Sequence, residues 1–159
     1  MHFTEYDTRM AAYAVIVDAG RILLSWYNGG TRGGTSHWTL PGGGVEFDES
    51  LEQAVTREVR EETGYIVEVG APIATDSFAV PAVETQRPFK SVRVLFAATI
   101  MAGELGTLEE DGTTDFAAWV PLDEVPLESP VPEIVRLAVD YGHRISTMSA
   151  PTELGVPHD

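Results

Sequence analysis

The sequence predicts an α/β fold in one domain, and three observations carry that reading. Short apolar runs with strand character recur along the chain. One strongly capped helix, from about residue 50 to 63, interrupts them, and a second helical period spans residues 132–141. The 159 residues suffice for a single core, and neither a repeat nor a linker divides them. Residues 1–146 are therefore expected to form one domain, with 147–159 as a flexible tail.

Residues 11–17 (Ala-Ala-Tyr-Ala-Val-Ile-Val) and 21–27 are the first two strands, with a hairpin turn at Asp18-Ala19-Gly20. Residues 28–36 carry four glycines and no periodicity, and read as a loop. A short extended segment at 37–40 is stopped by Pro41-Gly42-Gly43-Gly44. The main helix has Ser50 and Gln53 in capping-box positions and Gly64 as its stop. Residues 65–69, 71–80 and 91–100 read as strands, residues 101–114 as a polar acidic loop, and 116–120 as a last strand before a turn at 121–124. In the second helix Ile134, Leu137, Ala138 and Tyr141 share a face, and Gly142 is expected to end it.

Composition removes several functions. No cysteine is present, which excludes a thiol nucleophile, a disulfide framework and any Cys-ligated metal. Ten basic residues against 25 acidic ones give a net charge of −15, unsuited to gripping a long nucleic acid or an anionic membrane. An acidic chain that handles an anionic substrate is expected to do so through a bound cation. No run approaches the length of a membrane span, and the N-terminus has no signal-peptide pattern; a cytoplasmic location is expected.

The main helix carries the chemistry. At 100° per residue, Leu51, Ala54, Val55 and Val59 form an apolar stripe, with Gln53, Thr56, Arg60 and Thr63 on the solvated side. Glu58, Glu61 and Glu62 extend the buried-facing stripe. Three like charges at i, i+3 and i+4 repel by tenths of a kcal/mol per pair, and in the last turns each opposes the helix dipole by about 0.3–1 kcal/mol. Arg57 and Arg60 offset part of this. A divalent cation would remove both costs, and oxygen-only ligands suit Mg²⁺ or Mn²⁺.

Gly43, Glu49 and Arg57-Glu58-Val59-Arg60-Glu61-Glu62-Thr63-Gly64-Tyr65 resemble the Nudix box, a 23-residue pattern running from Gly43 to Tyr65. Every glycine and charged position is met; the last, usually aliphatic, holds Tyr65. The flanking Trp38-Thr39-Leu40-Pro41-Gly42-Gly43 and Trp119-Val120-Pro121-Leu122-Asp123-Glu124 are also similar to the MutT-like Nudix hydrolases, so the resemblance covers residues 10–142. It implies an α/β/α sandwich with a mixed sheet, and hydrolysis of a small nucleoside diphosphate linked to a group X with Mg²⁺ or Mn²⁺. It further implies Glu58, Glu61, Glu62 and the Gly43 carbonyl as metal ligands, Arg57 as the residue that orients a glutamate, and Glu49 as a support of the site or a ligand. Homodimers are common in the family, and the sequence leaves that question open.

Outside the box, Arg32, Arg87, Lys90 and Arg93 are candidates for phosphate or X, and Phe78 and Phe89 for stacking a base. Glu109, Glu110, Asp111 and Asp115 are candidates for a loop-borne base, with a solvated acidic loop as the competing reading; failing these, the base returns to the box, at Glu61. Trp38 and Trp119 read as packing residues. A nucleotide-binding module of the same fold without turnover is the alternative function. An isoprenoid diphosphate isomerase of this fold is disfavoured, because that branch relies on a cysteine.

Overall fold

The computed structural model describes residues 1–30, 34–84, 86–108 and 110–148. Strands β1 (Asp7–Val15), β2 (Val17–Asp18), β3 (Arg21–Tyr27), β4 (His37–Thr39) and β5 (Gly42–Gly44) precede helix α1 (Leu51–Thr63). Strands β6 (Tyr65–Val80), β7 (Phe89–Gly103) and β8 (Thr114–Pro121) follow, then a 3₁₀ turn (Leu122–Glu124) and helix α2 (Glu133–Met148). One sheet has the order β5-β1-β7-β6; the other is β2-β3-β4 with β8 on β3. The first is mixed: β1 and β7 run parallel, while β5 and β6 join antiparallel.

Alternation along the first strand builds the layers. Ala12, Ala14 and Ile16 join Ala54, Val55 and Val59 of α1 in one core; Val15 turns the other way to Ile134, Val135, Ala138 and Val139 of α2. In β3, Leu23 faces the α1 core while Ile22 and Leu24 face the α2 core. The expected α/β/α sandwich is the result, and each buried Val, Leu or Ile contributes about 1.5–3 kcal/mol. Trp38 rests on the α2 core and Trp119 on the α1 core, both as packing residues.

The cap of α1 follows the sequence. Ser50 Oγ accepts from Gln53 N at 3.2 Å and Gln53 Oε1 from Ser50 N at 2.7 Å, while Gly64, at φ 77°, closes the far end in the left-handed region. Three carbonyls of the last turn find partners that local sequence does not reveal. Leu108 N donates to Glu61 O at 2.7 Å, Thr107 Oγ1 to Glu62 O at 2.9 Å and Gly106 N to Thr63 O at 2.9 Å. The loop after β7 thus caps α1.

Four sequence readings are corrected. Gly42–Gly44 does more than stop a strand: it crosses to the other sheet and pairs with β1, Ala12 opposite Gly43. The expected strands 65–69 and 71–80 are one strand, whose register shifts around Pro72 absorb the apparent break. Thr63 is buried, because its hydroxyl turns back to donate to Val59 O at 2.6 Å. Gly142 lies inside α2, which continues to Met148; a β-carbon there would meet Leu122 Cδ2 at 2.7 Å, so this glycine allows close packing on the 3₁₀ turn. Residues 149–159 of the expected tail lie outside the described residues. No described helix is long and apolar enough to cross a membrane.

Candidate active site

The carboxylates of α1 divide between two surfaces. Glu58 and Glu62 line a cavity of about 360 Å³, together with the glycines of β5, Arg9, Arg93 and Phe78. Glu61 instead faces an open groove on the outer side of α1, beside Arg60 and Leu108.

Glu62 is buried. Its Oε2 accepts from Ser25 Oγ at 3.0 Å and Gly42 N at 3.1 Å, and its Oε1 from Thr114 Oγ1 at 2.8 Å. Burial pushes its carboxyl up to about 7, and neighbouring Glu58 adds to the rise; the bonds from Thr114, Gly42 and Ser25 oppose it.

Arg57 uses all five of its N–H donors. Nε and Nη2 grip Glu49 at 3.1 and 2.6 Å, and Nη2 also reaches Gly44 O at 3.1 Å. Nη1 is shared by Glu58 Oε1 at 2.8 Å and Glu61 Oε2 at 3.3 Å. The bonds from Arg57 hold the Glu49 carboxyl below its ordinary range, and the carboxylates in turn raise the guanidinium.

The glycine strand lets these groups approach the sheet edge. A β-carbon on Gly43 would lie 2.8 Å from Glu58 Oε1, and one on Gly44 3.5 Å from Arg9 Nη2. Strand alternation also assigns the backbone oxygens. Ala14 N donates to Pro41 O and Val45 N to Met10 O, so Ala12 and Gly43 form the hydrogen-bonded pair between them. The Gly43 carbonyl therefore turns to β1, not to the carboxylates as the resemblance implied. The Gly42 carbonyl, antiparallel to the Gly43 N–H across a planar peptide, points away from β1.

Among the described residues no three His, Asp or Glu side chains converge on one point. What the cavity offers is hard oxygen: two carboxylates and the carbonyl of Gly42. Such a donor set fits Mg²⁺ or Mn²⁺, which take one or two carboxylates and complete their shell with water and substrate phosphate.

The other candidates scatter. Arg93 and Phe78 line the cavity, stacked with the guanidinium carbon 4.7 Å from the ring centre, and Arg93 is paired with Asp76. Phe89 meets Phe78 edge-on with centroids 6.1 Å apart. Arg87 holds the N-terminal segment through Asp7 at 3.0 Å and Thr4 O at 3.1 Å, and Lys90 is exposed; neither lines the cavity. Glu110 and Asp111 are exposed, and Asp115 Oδ1 accepts from Asn28 Nδ2 at 2.9 Å; none of the three lines the cavity. Arg32 and Glu109 lie outside the described residues. Sequence reading missed Arg9, Ser25 and Thr114. Arg9 could have been found by extending the first strand toward the N-terminus; Ser25 and Thr114 gave no signal, since only strand pairing brings them to the helix.

A mixed-sheet sandwich with an acidic helix against a glycine edge strand defines the class, and the chain belongs to the NUDIX family: the NUDIX domain model matches residues 7–138. The chain is 30% identical to a MutT NUDIX hydrolase of Burkholderia pseudomallei, whose crystal structure superposes with a TM-score of 0.67 over 84% of this chain and 97% of that one. A protein of Bacillus subtilis, provisionally named an 8-oxo-dGTP diphosphatase, is 38% identical over 92 residues, 57% of this chain and 54% of that protein. An NAD-capped RNA hydrolase NudC of Photobacterium profundum is 31% identical over 106 residues, 67% of this chain and 36% of that protein. The chain thus spans about half or less of these two curated relatives.

Proposed function

We propose that this chain hydrolyses a phosphoanhydride bond of a small nucleoside diphosphate derivative, giving a nucleoside monophosphate and a phosphorylated X, with Mg²⁺ or Mn²⁺ as cofactor. The observation that carries the reading is the convergence of Glu58 and Glu62 with Arg9 and Arg93 on one cavity, around a strand without side chains.

Glu58, Glu62 and the Gly42 carbonyl would hold the metal, and Glu61 is joined to Glu58 by the Arg57 nitrogen that both accept from. When bound, the cation supplies charge neutralisation of phosphoryl oxygens and a lowered pKa for attacking water. The chain supplies position. Arg57 and Glu49 fix the first turn of the acidic face, and Ser25, Thr114 and Gly42 hold Glu62. Arg9 brings a guanidinium to the cavity wall, where it can meet an anionic group of the substrate. Phe78, half-exposed at the cavity, offers apolar surface to a base. The water's proton passes to a carboxylate of the box, since Glu110, Asp111 and Asp115 do not line the cavity. In-line attack then needs no protein nucleophile, in keeping with a cysteine-free chain.

A panel of nucleoside triphosphates, dinucleoside polyphosphates, ADP-ribose, NADH and nucleotide sugars, each with Mg²⁺ and with Mn²⁺, tests the proposal. Turnover of at least one small nucleotide, abolished by chelator, is expected. Metal-dependent nucleotide binding without any turnover would favour the binding-module reading instead.

A further inference from the structure

We propose that Ser25 and Thr114 are positioning residues for metal binding: two hydroxyls from adjacent strands aim the Glu62 carboxylate at the cavity. This rests on the reading of Glu62 as a ligand. The geometry is specific. Ser25 lies on β3 and Thr114 opens β8, and these strands pair so that Ser25 faces Ala117 and Thr114 faces Tyr27. Both residues are buried, and each donates to a different carboxylate oxygen, at 3.0 and 2.8 Å.

A glutamate has three side-chain torsions and, on a helix facing a cavity, several rotamers within reach of solvent. Two donors on fixed strands select one of them, and Gly42 N adds a third bond at 3.1 Å from the edge strand itself. The three bonds occupy both lone pairs of Oε2 and one of Oε1, which leaves one lone pair of Oε1 for a cation. Partners of this kind around metal-binding side chains change metal affinity or activity by about 10- to 100-fold when removed.

The segment that ends at Thr114 also fixes the backbone beneath Glu62. Thr107 Oγ1 donates to the Glu62 carbonyl at 2.9 Å, and Asn28 anchors the far end of the same segment at Gly112 O, 3.1 Å, and Thr113 O, 2.9 Å. The Glu62 carbonyl and one of its carboxylate oxygens are therefore held from Thr107 and Thr114. This gives Thr107, Gly112 and Thr113 a role that does not require the segment to supply a base.

The test is Mn²⁺ affinity without substrate, read by electron paramagnetic resonance, on Ser25→Ala, Thr114→Val and Thr114→Ser. The first two are expected to weaken Mn²⁺ binding by about 10-fold or more and to lower kcat with little change in KM for the nucleotide. Thr114→Ser, which keeps the hydroxyl, is expected to restore both. Thermal melts of all three variants exclude a loss of folding, and Ser25→Ala serves should Thr114→Val not fold. Wild-type Mn²⁺ affinity in both hydroxyl-deleted variants, with the parent binding metal and turning over substrate, would overturn the inference and leave the proposed function intact. A parent that neither binds Mn²⁺ nor shows metal-dependent turnover would overturn the proposed function and this inference with it.

Discussion

Gly43 and Glu58 lie so close that a β-carbon at 43 would sit 2.8 Å from Glu58 Oε1, inside van der Waals contact. Position 44, one residue on, leaves ordinary room, 3.5 Å to Arg9 Nη2. The two neighbours therefore predict opposite outcomes. Gly43→Ala is expected to displace the Glu58 carboxylate and lower kcat/KM by about 10-fold or more, roughly 1.4 kcal/mol. Gly44→Ala should stay within about 3-fold of the parent. Steady-state kinetics on the two variants decides it, and equal losses would sink the argument.

Removing charge from the cavity carboxylates should be costly to turnover and cheap to folding. Glu58→Gln or Glu62→Gln is expected to slow hydrolysis at least ~10²-fold, about 2.7 kcal/mol of barrier. The Glu62→Gln midpoint in chelator should equal or exceed the parent's, while Glu58→Gln, which weakens a bond to Arg57, should fall slightly below it. Near-normal activity in saturating Mg²⁺ would remove these residues from the site.

Arg57 spends its fork geometry on five bonds to Glu49, Gly44, Glu58 and Glu61. Lysine carries the charge but not the planar fork. Arg57→Lys is expected to lose about 1–3 kcal/mol of stability in urea denaturation, together with much of the activity. Retention of full stability would show that the charge alone suffices.

Metal-free protein should lose stability as pH rises. Burial holds the Glu62 carboxyl up at about 7 against an ordinary 4.5, so between those values the folded state keeps a proton that the unfolded chain has released. The contribution is largest below pH 4.5 and declines as pH rises through 7, by on the order of 2–3 kcal/mol. Denaturation in chelator at pH 5.5 and 7.5 measures the slope. Glu62→Gln should flatten it, and added Mg²⁺ should restore stability at the higher pH.

Small nucleotides should outcompete long RNA, including RNA with an NAD cap. A net charge of −15 with one lysine and nine arginines leaves little to neutralise a phosphate backbone. Competition assays at two salt concentrations test this: tighter binding of an RNA oligonucleotide, lost steeply with salt, would refute it.

The order of elements, the capped helix and the acidic constellation were all legible in the sequence, because each is a local pattern. Ser50, Gln53 and Gly64 mark the helix within one turn of its ends, and a period of 3.6 puts Glu58, Glu61 and Glu62 toward the core side, of which Glu61 turns instead to the outer groove. Local pattern misled where a residue serves a distant partner. Gly142 carries the sequence mark of a helix stop, yet Leu122 presses on it from the 3₁₀ turn. Thr63 sits at the polar margin of the helical wheel, yet its hydroxyl bonds back to Val59 O and it is buried.

The residue types of the site, glutamates in helical register with a glycine run before them, were set by the sequence itself, since spacing along one helix brings Glu58 and Glu62 to one side. Which carboxylate is buried, which faces outward, and which hydroxyls hold it were decided only in three dimensions. Ser25 and Thr114 stand 37 and 52 residues from Glu62, and Arg9 reaches the cavity only because β1 pairs with β5 and β7. Contacts across such separations depend on strand register and sheet order, and no local period encodes them.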